Sequence, residues 1–271
     1  MVYRGIVLVG RALLRLLGLR RHVVGAEHVP TTGGAVLAVS HFSYLDFVLA
    51  GWVAWHRGHR LVRFLATAAS FRHPVAGPLM RAMQHVPVER DGGGGAYRTA
   101  VARLRAGELV GVFPESRVTR SFTLLPLKAG AARMAGQAGV PLVPVGVWGT
   151  HRGMTRTHRT PLGRALGTPV EVRIGAPLHP GPDDDPVEVT ARLAEAMTAL
   201  LDDAQAGYPV PAPAGAWWQP AHLGGGAPTP EQALLLDADD PVVRAQARLD
   251  AARTPIPPQD PRTTDEREAT P

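Results

Sequence analysis

The feature that most constrains this chain is a succession of short apolar runs, each bounded by Gly, Pro or polar residues and separated by stretches of helical period. The runs are AVLAVS (35–40), LVRFLAT (61–67), HVPVER (85–90), LVGVFP (109–114), PLVPVGVWG (141–149) and PVEVRIGAP (169–177). Between them the pattern predicts helices over 44–57, within 74–84, over 97–106, over 129–138 and over 187–204. Nearly continuous apolar runs suit strands covered on both faces, and intervening helices supply the crossovers that parallel strands need. The expectation is an α/β fold: a single domain with a largely parallel mixed sheet flanked by helices. The 271 residues, 45% of them hydrophobic, suffice for a substantial core. The absence of cysteine excludes a disulfide scaffold, thiolate metal sites and a Cys nucleophile.

The first twenty residues, MVYRGIVLVGRALLRLLGLR, read as a basic amphipathic helix. At 100° per residue Arg4, Arg11 and Arg15 fall on one side, and Val2, Ile6, Val9, Leu13, Leu16 and Leu17 on the other. The arginines interrupt every apolar run, so the segment is too short to span a bilayer and lacks the pattern of a secretory signal. The better reading is a helix lying in a membrane interface, with arginines reaching lipid phosphates; the plain alternative is a surface helix covering the core. Residues 1–24 form this segment, 25–206 the main domain, and 207–271 a Pro/Gly-rich irregular extension with 12 of the 26 prolines. Short helices are expected there over 231–237 and 241–252, and disorder over the last fifteen residues. Trp217 and Trp218 are out of place in a solvated linker, which points to partial docking of the extension.

Charge is divided unevenly. Residues 1–121 carry 16 Lys and Arg against 6 Asp and Glu, whereas residues 122–271 carry 13 against 17. A basic front suggests an anionic partner: a phosphate-bearing ligand, a lipid surface or a nucleic acid. The arginines are few and aromatic residues are not interleaved with them, which argues against nucleic acid. The eleven histidines show no metal-ligand spacing, so no metal is expected.

Ser40-His41-Phe42-Ser43-Tyr44-Leu45-Asp46 falls where an apolar strand gives way to a helix, the place where open α/β sheets put their ligands. A turn there lets Asp46 reach the His41 imidazole, fixing its tautomer and leaving the other nitrogen to take a proton from an alcohol. A plain turn also explains these residues, with Ser40 or Ser43 capping the helix and Asp46 favouring its N-terminus. The next constellation is Phe113-Pro114-Glu115-Ser116-Arg117-Val118-Thr119-Arg120-Ser121. Arg117 and Arg120 offer forked donors to a phosphate, and Glu115 a partner for a hydroxyl or an arginine. Its plain alternative is a surface turn with an ion pair of little worth. Arg90 ends the run Pro87-Val88-Glu89 in the same manner. The Gly92–Gly95 run lacks the ending of a phosphate loop.

In order, the HxxxxD block, PVER, FPE followed by TRS, and VPVGVWGT resemble the glycerolipid acyltransferase family (1-acyl-sn-glycerol-3-phosphate acyltransferase, PlsC-like). The resemblance covers about residues 25–180 and includes the lead-in Gly25-Ala26-Glu27-His28-Val29-Pro30 and the block Lys128-Ala129-Gly130-Ala131-Ala132-Arg133-Met134-Ala135. It implies a catalytic pair, with His41 as general base and Asp46 as its partner. It places Arg90, Glu115 and one of Arg117 and Arg120, with Ser121, at a glycerophosphate acceptor, and Pro144 in a block supporting the site. Two departures stand out. The common third block reads FPEGTRS, whereas here two further residues separate Glu115 from the Arg-Ser pair. Many relatives also carry a lysine in the strand matching FLATA, where this chain has Thr67.

The resemblance implies transfer of a fatty acyl group from an acyl thioester, acyl-CoA or acyl carrier protein, to the hydroxyl of a lysophosphatidic acid-like acceptor. No cofactor beyond that co-substrate is expected. The chain lacks a G-x-S-x-G elbow as well as cysteine, in keeping with direct transfer. The alternatives are an acyl thioesterase using the same pair on water, and a peripheral lipid-binding protein without chemistry. The expected location is peripheral, on the cytoplasmic face of the cell membrane.

Overall fold

Ala35–Val39 is buried at every position. Since successive side chains of a strand point to opposite faces, both sides of its sheet must be covered. The computed structural model describes residues 2–16, 18–89, 93–161 and 166–239. Within them lie strands β1 (Arg20–Val24), β2 (Ala35–Val39), β3 (Val62–Thr67), β4 (Val86–Val88), β5 (Leu109–Val112), β6 (Leu142–Trp148) and β7 (Pro169–Ile174). They form one sheet in the order β1-β7-β6-β2-β5-β3-β4. All paired strands run parallel except β6 with β7.

Helix α1 is Val2–Leu16, α2 Asp46–Gly58, α3 Ala68–Arg72, α4 Ala76–Ala82, α5 Gly93–Arg105, α6 Gly130–Ala138, α7 Pro186–Ala206 and α8 Pro230–Asp239. One face of the sheet packs Leu37 and Val39 against Leu49, Ala50, Val53 and Ala54 of α2. The other packs Val36, Ala38 and Val110 against Leu104 of α5, Met134 and Ala135 of α6, and Leu193 and Met197 of α7. The chain therefore leaves β2 toward one face and leaves the adjacent β5 toward the other. A crevice opens beyond the carboxyl ends of two strands whose connections part in this way.

Pro144 sits inside β6, where a missing N–H ordinarily costs a ladder bond. Its carbonyl accepts from Gly175 N just past the end of β7. Its nitrogen faces the same side, beyond the β6–β7 ladder, so the pairing with β2 is kept.

The structure alters three sequence expectations. Arg20–Val24 forms an edge strand that the charged RRHVV pattern concealed, with alternate residues exposed; charge on an edge discourages further pairing. A short helix the pattern did not announce, α3, precedes the helix expected within 74–84, which is α4; the extended His73 and the following Pro74 separate the two. His73 Nδ1 then accepts from the N–H groups of Val75 and Ala76, starting α4. The strand expected over 85–90 is the shorter β4, with His85 and Glu89 outside it and Arg90 outside the described residues.

Helix α1 is tied at its start by the Tyr3 hydroxyl, which donates to Val62 O at 2.6 Å. Burial pushes that hydroxyl's pKa up to about 12. Leu8, Val9 and Leu16 are exposed, and among the described residues no helix is long and apolar enough to cross a membrane. After α7, Tyr208, Trp217 and Ala227 join Phe42, Phe122 and Trp148 in a third apolar cluster. Residues 231–271 are a separate unit, helical in α8; the helix expected over 241–252 and the final fifteen residues lie outside the described residues.

Candidate active site

The turn after β2 brings the two residues of HxxxxD together. Asp46 opens α2 with its side chain fully buried, and Oδ2 accepts from the backbone N–H of Phe42 at 2.8 Å and of Ser43 at 2.7 Å. Oδ1 accepts from the Thr150 hydroxyl at 2.5 Å. His41 Nδ1 faces the same Oδ2 at 3.5 Å, so the five-residue spacing works through a turn and not along one helical face. Neither serine caps the helix with its side chain. Ser40 Oγ accepts from Val147 N at 2.9 Å, and Ser43 Oγ accepts from Leu45 N while donating to Met154 O.

The turn after β5 closes the other wall. Glu115 Oε1 accepts from the backbone N–H of His41 at 2.7 Å, and Oε2 from that of Leu125 at 3.0 Å. Both oxygens are thus engaged by main chain, and Glu115 braces the two turns against each other. Burial pushes its pKa up to about 8; the two N–H donors pull it down, the Asp46 charge pushes it up and Arg117 pulls it down. Phe113 stacks on the His41 ring with centroids 3.9 Å apart and planes 17° apart. Phe64 stacks in turn on Phe113 at 5.6 Å. This layering needs Gly111, because a Cβ there would lie 2.4 Å from the Phe64 ring.

Around Glu115 the chain carries the remaining expected residues. Arg117 is exposed and Arg120 half-buried, on a loop held to the His41 turn by Thr119 N donating to His41 O at 3.1 Å. Ser121 is fully buried, its hydroxyl shared between those of Thr119 at 2.9 Å and Thr123 at 2.7 Å, so it shapes the loop from within. Thr67, at the end of β3, exchanges a hydrogen bond with Ser70 Oγ. Arg90 lies outside the described residues. Among the described residues no three His, Asp or Glu side chains gather as a metal site would require.

Comparison with known proteins meets this geometry. The Acyltransferase family profile matches residues 20–148, from β1 to the end of β6. A 1-acyl-sn-glycerol-3-phosphate acyltransferase of Bacillus subtilis is 28% identical over 163 residues, 59% of this chain and 79% of that protein. A 1-acyl-sn-glycerol-3-phosphate acyltransferase alpha of Ovis aries is 31% identical over 137 residues, of whose length the chain spans 45%. The crystal structure of the 1-acyl-sn-glycerophosphate acyltransferase PlsC of Thermotoga maritima shares the fold, with a TM-score of 0.63 at 23% identity over 77% of this chain and 82% of that one. Residues 20–148 of the chain are an Acyltransferase-family domain, and the fold is that of PlsC. It is an O-acyltransferase.

Membership gives one backbone detail a meaning. Where the common third block has glycine, this acyltransferase has Ser116, and its φ is 61°. A side chain in the left-handed region costs about 1–2 kcal/mol, so the turn geometry has been kept although the glycine has not. Phe122, after the Arg-Ser pair, is also left-handed at 53°; two such residues bracket the lengthened loop.

The structure adds residues that the sequence reading missed. Thr150 supplies a third donor to Asp46 from the carboxyl end of β6, more than a hundred residues away. Thr155 Oγ1 donates to Phe42 O at 2.8 Å and so holds the same turn. The available signal for Thr150 was its place just past a strand next to β2, at the edge where His41 and Glu115 emerge.

Proposed function

We propose that this acyltransferase esterifies the free hydroxyl of a 1-acylglycerol 3-phosphate-like acceptor, with acyl-CoA or acyl carrier protein as donor, in phospholipid biosynthesis. The observation that carries the reading is the His41 ring, clamped by Phe113, with Nδ1 toward the buried, triply bonded Asp46 carboxylate. That arrangement leaves Nε2 to accept the acceptor's hydroxyl proton as its oxygen attacks the thioester carbonyl. Asp46 offsets the positive charge that forms on the imidazole. When the tetrahedral intermediate collapses, the C–S bond breaks and the thiolate takes the proton from Nε2, regenerating neutral His41. No covalent enzyme intermediate and no cofactor is required by these steps.

Arg117 and Arg120 stand beside the His41 turn with the chemistry to hold the acceptor phosphate, and Arg90 is assigned the same role on sequence grounds. Holding the phosphate turns a bimolecular encounter into a positioned one. Glu115 supports these residues through the backbone. Helix α1, with Arg4 and Arg15 exposed beside Leu8, Val9 and Leu16, suits a peripheral protein on the anionic cytoplasmic membrane face, where acceptor lipid and donor meet.

Acceptor profiling tests the reading. Purified protein is given labelled acyl-CoA or labelled acyl carrier protein with lysophosphatidic acid, lysophospholipids carrying larger head groups, or monoacylglycerol. Label should enter phosphatidic acid. Acceptor-independent release of fatty acid would establish a thioesterase instead, no turnover a binding protein, and label confined to phosphate-free lipids would remove the role given to the arginines.

A further inference from the structure

Beyond β6 the chain builds a layer behind the reacting pair that the family match does not include. The 3-10 turn Thr150–Arg152 is its hub. Thr150 donates to Asp46 Oδ1. His151, fully buried, bonds through Nε2 to the carbonyl of Trp218 at 2.9 Å. Arg152 donates to the Tyr208 hydroxyl at 3.0 Å and lies 4.5 Å over the Trp218 ring. Three successive residues thus face the catalytic turn, the interior and the C-terminal extension.

The His151 contact is specific in its chemistry. A carbonyl oxygen only accepts, so Nε2 carries the proton and Nδ1 holds a lone pair, which is buried without a partner. Burial pushes His151 down to about 3, with the Trp218 bond opposing and the Arg152 charge assisting, so the ring stays neutral. The same ring leans on Phe122 at 4.5 Å and on Trp148 at 4.4 Å, and meets Phe42 edge-on at 6.3 Å. It therefore touches the neighbour of His41 and the loop that carries Arg120. Tyr208 also closes against Gly149: a Cβ there would lie 2.9 Å from the Tyr208 hydroxyl and 2.4 Å from Pro169 O.

We infer that residues 208–227 are a strap that positions Asp46 through His151 and Thr150, making both positioning residues for acyl transfer. The inference rests on His41 and Asp46 being the reacting pair. A strap that only added buried surface would raise stability and leave turnover alone. One that fixes the Thr150 hydroxyl sets the height of Asp46 and thereby the aim of His41, where displacement on the order of 1 Å costs up to about a hundredfold in rate.

The test uses the full-length protein, steady-state acyl-transfer kinetics and thermal unfolding. Thr150→Val keeps the shape and removes the hydroxyl; kcat should fall about tenfold to a hundredfold with KM little changed, and Thr150→Ser should restore it. His151→Phe keeps a ring and removes the bond to Trp218; kcat should fall about tenfold. Combining Thr150→Val with His151→Phe should lower kcat no further than Thr150→Val alone, since the strap acts through that hydroxyl. If His151→Phe does not fold, Arg152→Met loosens the strap from its more exposed side and should likewise lower kcat. Loss of melting temperature with kcat intact, or independent multiplication of the two effects, overturns the strap. The reading beneath it fails separately: an active His41→Ala protein sinks the base, whereas an inactive one beside a fully active Thr150→Val sinks only the strap.

Discussion

The turns after β2 and β5 stand side by side and are built in opposite ways. In the first, the side chains of Ser40, Ser43 and Asp46 are all hydrogen-bonded and have no exposed surface, with His41 Nδ1 facing Asp46 at 3.5 Å. In the second, one carboxyl group is buried as a brace, while the guanidinium groups of Arg117 and Arg120 sit at or near the surface. Proton transfer needs a group held within a fraction of an ångström, and a buried turn pinned by hydrogen bonds supplies that. Phosphate recognition needs charge that can meet a ligand arriving from a membrane, which a solvent-facing loop supplies. The difference teaches how the proposed function would divide chemistry and recognition between neighbouring strand ends, joined through Glu115, Thr119 and Phe113.

Substitutions can break that division. The largest effect is expected at His41: His41→Ala should lower kcat by about 10²–10⁴ while acceptor KM changes little, measured by steady-state transfer of labelled acyl groups. In the second turn, Arg120→Ala and Arg117→Ala compared side by side should show which arginine holds phosphate. The one that does should raise acceptor KM by roughly tenfold to a hundredfold, the worth of a charge-assisted hydrogen bond, with kcat nearly kept. If both variants lower kcat and leave KM, the two turns do not divide the work as described.

The last test concerns the brace and reads stability, not turnover. Folding raises the Glu115 pKa from 4.5 to about 8. The group therefore binds its proton more tightly in the folded state. Its contribution to stability is complete below pH 4.5 and is lost as pH rises through about 8, at up to about 1.4 kcal/mol per pH unit. Glu115→Gln should flatten that decline, read from denaturant midpoints between pH 5 and 8. Parallel curves for the two proteins would mean that another group titrates.

Much of this was legible in the chain. The runs at 35–40, 109–114 and 141–149 became β2, β5 and β6, because a strand buried on both faces has to be apolar almost throughout. His41 and Asp46 were legible because a strand-to-helix turn needs only local geometry to bring residues five apart together. The edge strand Arg20–Val24 was not, since its charged RRH start masks the strand alternation. Thr150 and His151 were not, since nothing about a Gly-Thr-His tripeptide announces which carboxylate or carbonyl lies opposite.

The sequence by itself determined the alternation of strands and helices, the basic amphipathic start, and the meeting of His41 with Asp46 across one turn, for these depend on period and local turn chemistry. Only the tertiary structure decided that both Glu115 oxygens meet backbone N–H groups, that Ser121 turns inward, and that a segment near residue 218 holds the residue beside Thr150. Those outcomes depend on strand order, which sets β6 and β5 on either side of β2 and brings residues distant along the chain within hydrogen-bond reach.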